Sequence, residues 1–97
     1  MKYLKVTVDV NDGDYVTEIN PISNEKLATL LPFINHLAKY KHEHNWQNVK
    51  TQWTGDPKLI EQFADYVPYP PEYNGDNGAH TIENVHVFEV TNVEELF

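Results

Sequence analysis

Apolar and polar residues alternate from the first positions of this chain. Leu4, Val6, Val8 and Val10 fall on one side, and Tyr3, Lys5, Thr7 and Asp9 on the other. A period of two over that length predicts a half-buried strand across Lys2 to Val10. Asn11-Asp12-Gly13-Asp14 follows as a turn, because Asp-Gly accepts the positive φ angles of a tight hairpin. Tyr15 to Asn20 then reads as a returning strand. With Asp12-Gly13 as a two-residue loop, Val10 faces Tyr15, Val8 faces Thr17 and Val6 faces Ile19.

The period then changes. Leu27, Leu30, Leu31, Ile34, Leu37 and Ala38 recur at helical spacing, behind a cap at Ser23 or Asn24. Pro32 lies on the opposite side of that wheel, where it either kinks the helix outward or opens a second helix after a break at Leu31. The helix is expected to end near Tyr40, and His36, also opposite the stripe, is expected to be exposed. His42 to Gly55 has no clear period and reads as an ordered loop or short irregular strand holding Trp46 and Trp53.

Asp56-Pro57 marks a second helix, a capping side chain followed by proline at the first helical position. Its buried stripe is Leu59, Ile60, Phe63, Tyr66 and Val67, and Pro68, Pro70 and Pro71 end it. Pro68 to Ala79 is a loop. His80 to Thr91 alternates loosely, with Ile82, Phe88 and Val90 on one side and Val85 and Val87 on the other. Apolar residues on both sides suggest an inner strand covered on both faces, or one at a contact surface. The last residues, 92–97, read as a tail or one helical turn.

These elements predict a small single α+β domain over residues 1–97, ordered β-β-α-α-β, with an antiparallel sheet and two helices on one face.

Composition narrows the chemistry. Fifteen Asp and Glu stand against seven basic residues, all lysine, for a net charge of −8. Such a chain is repelled by phosphate backbones, so direct nucleic-acid binding is not expected. With no cysteine there are no disulfides, no thiolate zinc site and no thiol nucleophile. The one serine, Ser23, is accounted for as a helix cap, and four scattered glycines assemble no phosphate loop. The expectation is a non-enzyme. Asp9 to Asp14 departs from a calcium loop, since glycine arrives one residue early and position twelve is Asn20. The N-terminus lacks the apolar core of a signal peptide, and no apolar run approaches the ~20 residues of a membrane span. Both readings point to the cytoplasm.

The charge is unevenly spread. Residues 60–97 carry eight acids and no lysine, so they account for the whole excess. Glu83 and Glu89 would share a face of the last strand, and Asp9, Asp12, Asp14 and Glu18 gather about the hairpin. If the hairpin lies beside the last strand, one side presents a negative field toward a basic partner. Tyr69 and Tyr73 in the proline loop are candidate anchors, having large area and a polar handle. The candidate partner-binding set is therefore Tyr69, Glu72, Tyr73, Asp76, Glu83 and Glu89. Simple solubility explains the same charge without a partner.

Histidine offers a second chemistry. His42 and His44 point the same way if extended, as do His80 and His86 on the last strand. Brought together, the four could ligate zinc. The alternative is surface imidazoles hydrogen-bonded to carboxylates.

Phe, Tyr, Met, Ile, Asn and Lys, with AT-rich codons, total 33 residues, against 14 for Gly, Ala, Arg and Pro. With this bias, the lack of Arg and Cys, and the segment Tyr66-Val67-Pro68-Tyr69-Pro70-Pro71-Glu72-Tyr73 before His80-Thr81-Ile82-Glu83, the chain resembles small orphan proteins of phages and prophages in AT-rich bacteria. Its size and acidity are similar to those of anti-CRISPR proteins, many of which occupy nucleic-acid-binding surfaces of effectors such as Cas9. That resemblance implies an inhibitor of a basic nucleic-acid-binding protein. It carries over no residue roles.

Overall fold

The computed structural model describes residues 1–11, 14–39, 46–68, 81–89 and 92–96. The elements run β1 (Lys2–Asn11), β2 (Asp14–Ile22), α1 (Asn24–Ala38), α2 (Trp46–Thr51), α3 (Lys58–Ala64), β3 (Thr81–Glu89) and β4 (Asn92–Glu95). The four strands form one antiparallel sheet in the order β2-β1-β3-β4. This is an α+β fold, and the central pair joins the first strand to the third.

The expected alternation of β1 holds: Leu4, Val6 and Val8 are fully buried against Leu27, Leu30, Phe33 and Ile34 of α1. The hairpin register differs from the expectation. Asn11 opposes Asp14, as a two-residue loop requires, but Asp9 then opposes Tyr15, so Val10 is an extra residue on β1. A β-bulge of this kind shifts every later pair by one and turns the partner strand over. Val8 therefore faces Val16, and Val6 faces Glu18. Tyr15, Thr17 and Ile19 lie on the face away from the helices, beside Asp9, Thr7 and Lys5.

A second bulge explains the mixed period of β3. Thr7 opposes Asn84 and Val8 opposes Ile82, which leaves Glu83 as the extra residue. The bulge brings Ile82 onto the helix side with Val85 and Val87, all buried, and leaves Phe88 on the other face. The strand is an inner one, as expected, but helices cover only one of its faces among the described residues. On the open face Phe88 stacks on Tyr3 at 5.5 Å between ring centroids.

The α1 boundaries follow its caps. The Ser23 hydroxyl accepts from the Lys26 backbone N–H at 3.0 Å. Pro32 sits within the helix on its exposed side, so the chain continues through it without a second helix starting. Asp56 Oδ1 accepts from the Lys58 N–H at 2.9 Å and starts α3. The helix ends at Ala64 rather than at the prolines, and Tyr66 and Val67 of the expected stripe follow in tighter turns, their N–H groups donating to the Phe63 and Ala64 carbonyls. Phe63 and Val67 are buried, and Leu59, Ile60 and Tyr66 pack against the cluster.

Two elements lay outside the expected order. The region read as a loop or irregular strand contains α2, whose Val49 is buried. The expected tail contains β4, which pairs with β3 from Glu89–Asn92 to His86–Glu95. Neither segment is long enough to display a period of its own.

Candidate interaction surfaces

His36 is the first residue whose role the structure redefines. Its expected exposure is corrected: it is only 9% exposed, and Nε2 lies 2.9 Å from the Val49 carbonyl oxygen. A carbonyl only accepts, so Nε2 carries the proton and donates. This bond satisfies a carbonyl in the last turn of α2 that has no partner within a six-residue helix. The ring also lies between Phe33 and Trp53, at 5.9 and 5.2 Å. The Trp53 indole N–H donates to the Asp56 carbonyl at 2.9 Å, and the ring folds over Gly55, where any Cβ would collide with it. Phe33, at the centre, meets Trp53 and Phe63 edge-on at 5.2 and 5.7 Å. The cluster locks three helices together; a lone polar side chain on the far side of a helical wheel gave no sign of it.

The expected negative face divides. Glu89 is exposed, but Glu83 is only 7% exposed and takes its place at the β3 bulge, so it is not offered to a partner's surface. The two do not share a presenting face, because the inserted residue breaks the alternation that the expectation assumed. The hairpin does lie beside β3, with Asp9 opposite Thr81. That places Asp9 and Glu89 at opposite ends of β3, about 24 Å apart at ordinary strand rise, while Glu18 lies level with Val85 in mid-sheet. Glu89 instead borders a shallow cleft with Lys2, Pro21, Ser23 and Asn24, where α1 begins. Tyr69, Glu72, Tyr73 and Asp76 lie outside the described residues.

Of the candidate zinc ligands, His42, His44 and His80 also lie outside the described residues. His86 is half-buried on the open face, opposite Lys5 on β1 and Glu95 on β4. Among the described residues no group of three or more His, Asp or Glu stands close enough to hold a metal.

Helices on one side of the sheet imply an open face on the other, but the bulges change which residues stand on it. Register places Tyr15, Thr17 and Ile19 of β2, Tyr3, Lys5 and Thr7 of β1, and Asn84, His86 and Phe88 of β3 on it, with Val93 of β4. Four large hydrophobic residues are exposed among those described: Met1, Tyr15 at 61%, Ile19 at 51% and Val93 at 69%. Three of them stand on this face. No described helix is long and apolar enough to cross a membrane.

Comparison with protein-family models, curated proteins and solved structures finds no match to this chain.

Proposed function

We propose that this chain is a non-enzymatic interaction protein that docks on a basic, nucleic-acid-binding surface of an effector and blocks it. The most concrete form of that reading is an anti-CRISPR protein acting on a Cas nuclease such as Cas9. The observation that supports it is the charge distribution: eight acids and no lysine after residue 59. Of these, Glu61, Asp65, Glu89 and Glu94 are exposed. A surface of one sign raises the encounter rate with an oppositely charged partner and imitates the phosphate charge such a partner is built to bind.

The test is a pull-down of Cas9 and other defence nucleases, repeated with Glu89→Lys combined with Asp76→Lys. Binding that falls at least tenfold on charge reversal, and falls again between 50 and 300 mM salt, is the expected outcome. Capture unaffected by either change overturns docking through acidic residues. Glu83→Lys does not belong in this experiment, since a buried side chain reports on folding.

A further inference from the structure

β2 is an edge strand of nine residues whose outer backbone groups meet no strand among those described. Edges of this length are ordinarily blunted by lysine, by proline within the strand or by a bulge in it. β2 contains no lysine, its bulge lies across the hairpin on β1, and its proline, Pro21, stands next to its last residue. Its charges are Asp14 at the hairpin end and Glu18 on the helix side, where Asn20 Nδ2 donates to it. The two large hydrophobics it exposes, Tyr15 and Ile19, share the open face and flank Thr17 symmetrically.

We propose that this edge is the docking site for a second copy of the chain, added antiparallel across β2 with Thr17 on the two-fold axis. Directly opposed residues in an antiparallel pair point to the same face, so the axis places Tyr15 against Ile19 of the second copy, and Ile19 against its Tyr15. Aromatic and β-branched residues are a favourable cross-strand pair. On the helix side, Val16 opposes Glu18 and Asp14 opposes Asn20. No two like charges stand directly opposite each other. Glu18 already accepts from Asn20 Nδ2 at 2.8 Å within its own chain. Pro21 falls beyond the paired span and costs no ladder bond. The product is a continuous eight-stranded sheet.

Salt separates this inference from docking on a basic partner. Two copies of net charge −8 repel each other, so added salt strengthens the dimer, whereas it weakens attachment to a basic surface. Failure of either reading leaves the other in place.

The absence of cysteine makes the test clean, because a single introduced thiol can pair only between chains. Sedimentation of the native chain at roughly 100 µM, above a dissociation constant in the micromolar range, is expected to give a dimer. Oxidation of Thr17→Cys is expected to link two chains, and oxidation of Val93→Cys, on the opposite edge, is not. Ile19→Lys, shown to be folded by circular dichroism, is expected to sediment as a monomer. A monomeric native chain overturns the proposal, as does a dimer that Ile19→Lys leaves intact. Any other cross-linking pattern also overturns it.

Discussion

His36 shows how one polar group can hold elements together. Its Nε2–H supplies the partner of the Val49 carbonyl, and its ring fills space between Phe33 and Trp53. His36→Ala removes both, leaving an unpaired buried carbonyl and a void. The expected cost is about 2–4 kcal/mol of unfolding free energy, measured by urea denaturation. Tyr66 is a second residue whose surroundings alter its chemistry. Partial burial, and then the neighbouring Asp65 carboxylate, push its phenol above the ordinary value of 10.0. The folded chain therefore holds the phenolic proton more tightly than the unfolded chain. This contribution to stability is intact below the unfolded value and is lost as pH rises through the folded one. Denaturation midpoints taken from about pH 9 to about pH 11 are expected to fall more steeply for the native chain than for Tyr66→Phe.

At the scale of elements, two bulges decide which side chains are dry. Val10 turns β2 over, and Glu83 moves Ile82 to the helix side of β3. Glu83 and Glu89 then answer to different physics although both are carboxylates on one strand. Glu83→Lys places a cation where a buried carboxylate has its partners, and is expected to cost about 3 kcal/mol or more. Glu89→Lys, at an exposed site, is expected to change the denaturation midpoint within ~0.5 kcal/mol. Equal losses for the two would show that Glu89 is held as tightly as Glu83.

The same elements show what the residue pattern conveyed. β1, α1 and α3 were legible because each shows its period, and the two helices carry their own starts at Ser23 and Asp56; the end of α3 was not, since it stops at Ala64, ahead of the prolines. The bulges were not, since an inserted residue leaves no mark in the sequence except a period that falters, as β3 did between Ile82 and Val85. α2 and β4 are six and four residues long and owe their form to what they pack on or pair with. The acidic excess could be counted from the sequence, but the distance between its members depended on strand order.

For the whole molecule, charge and shape pull in different directions. The excess of acids repels copies of the chain and suits a basic partner, while the bare β2 edge and the exposed Tyr15 and Ile19 suit association by backbone pairing and apolar contact. Self-repulsion also burdens the folded state itself. Raising sodium chloride from about 10 to about 150 mM is expected to raise the melting temperature of the Ile19→Lys variant, in which any dimer is already removed. A melting temperature indifferent to salt would mean that the seven lysines already neutralise the field locally.

The place of β1 at the centre of the sheet has a consequence for how the protein is made. Its long side pairs with residues 81–88, so the sheet closes only after β3 has left the ribosomal exit tunnel. Until then the β1–β2 hairpin travels with Leu4, Val6 and Val8 lacking half of their final surroundings. Closure of the sheet is therefore expected to come late, at a rate set by contacts between residues 3–9 and 81–88 rather than by the hairpin that emerges first.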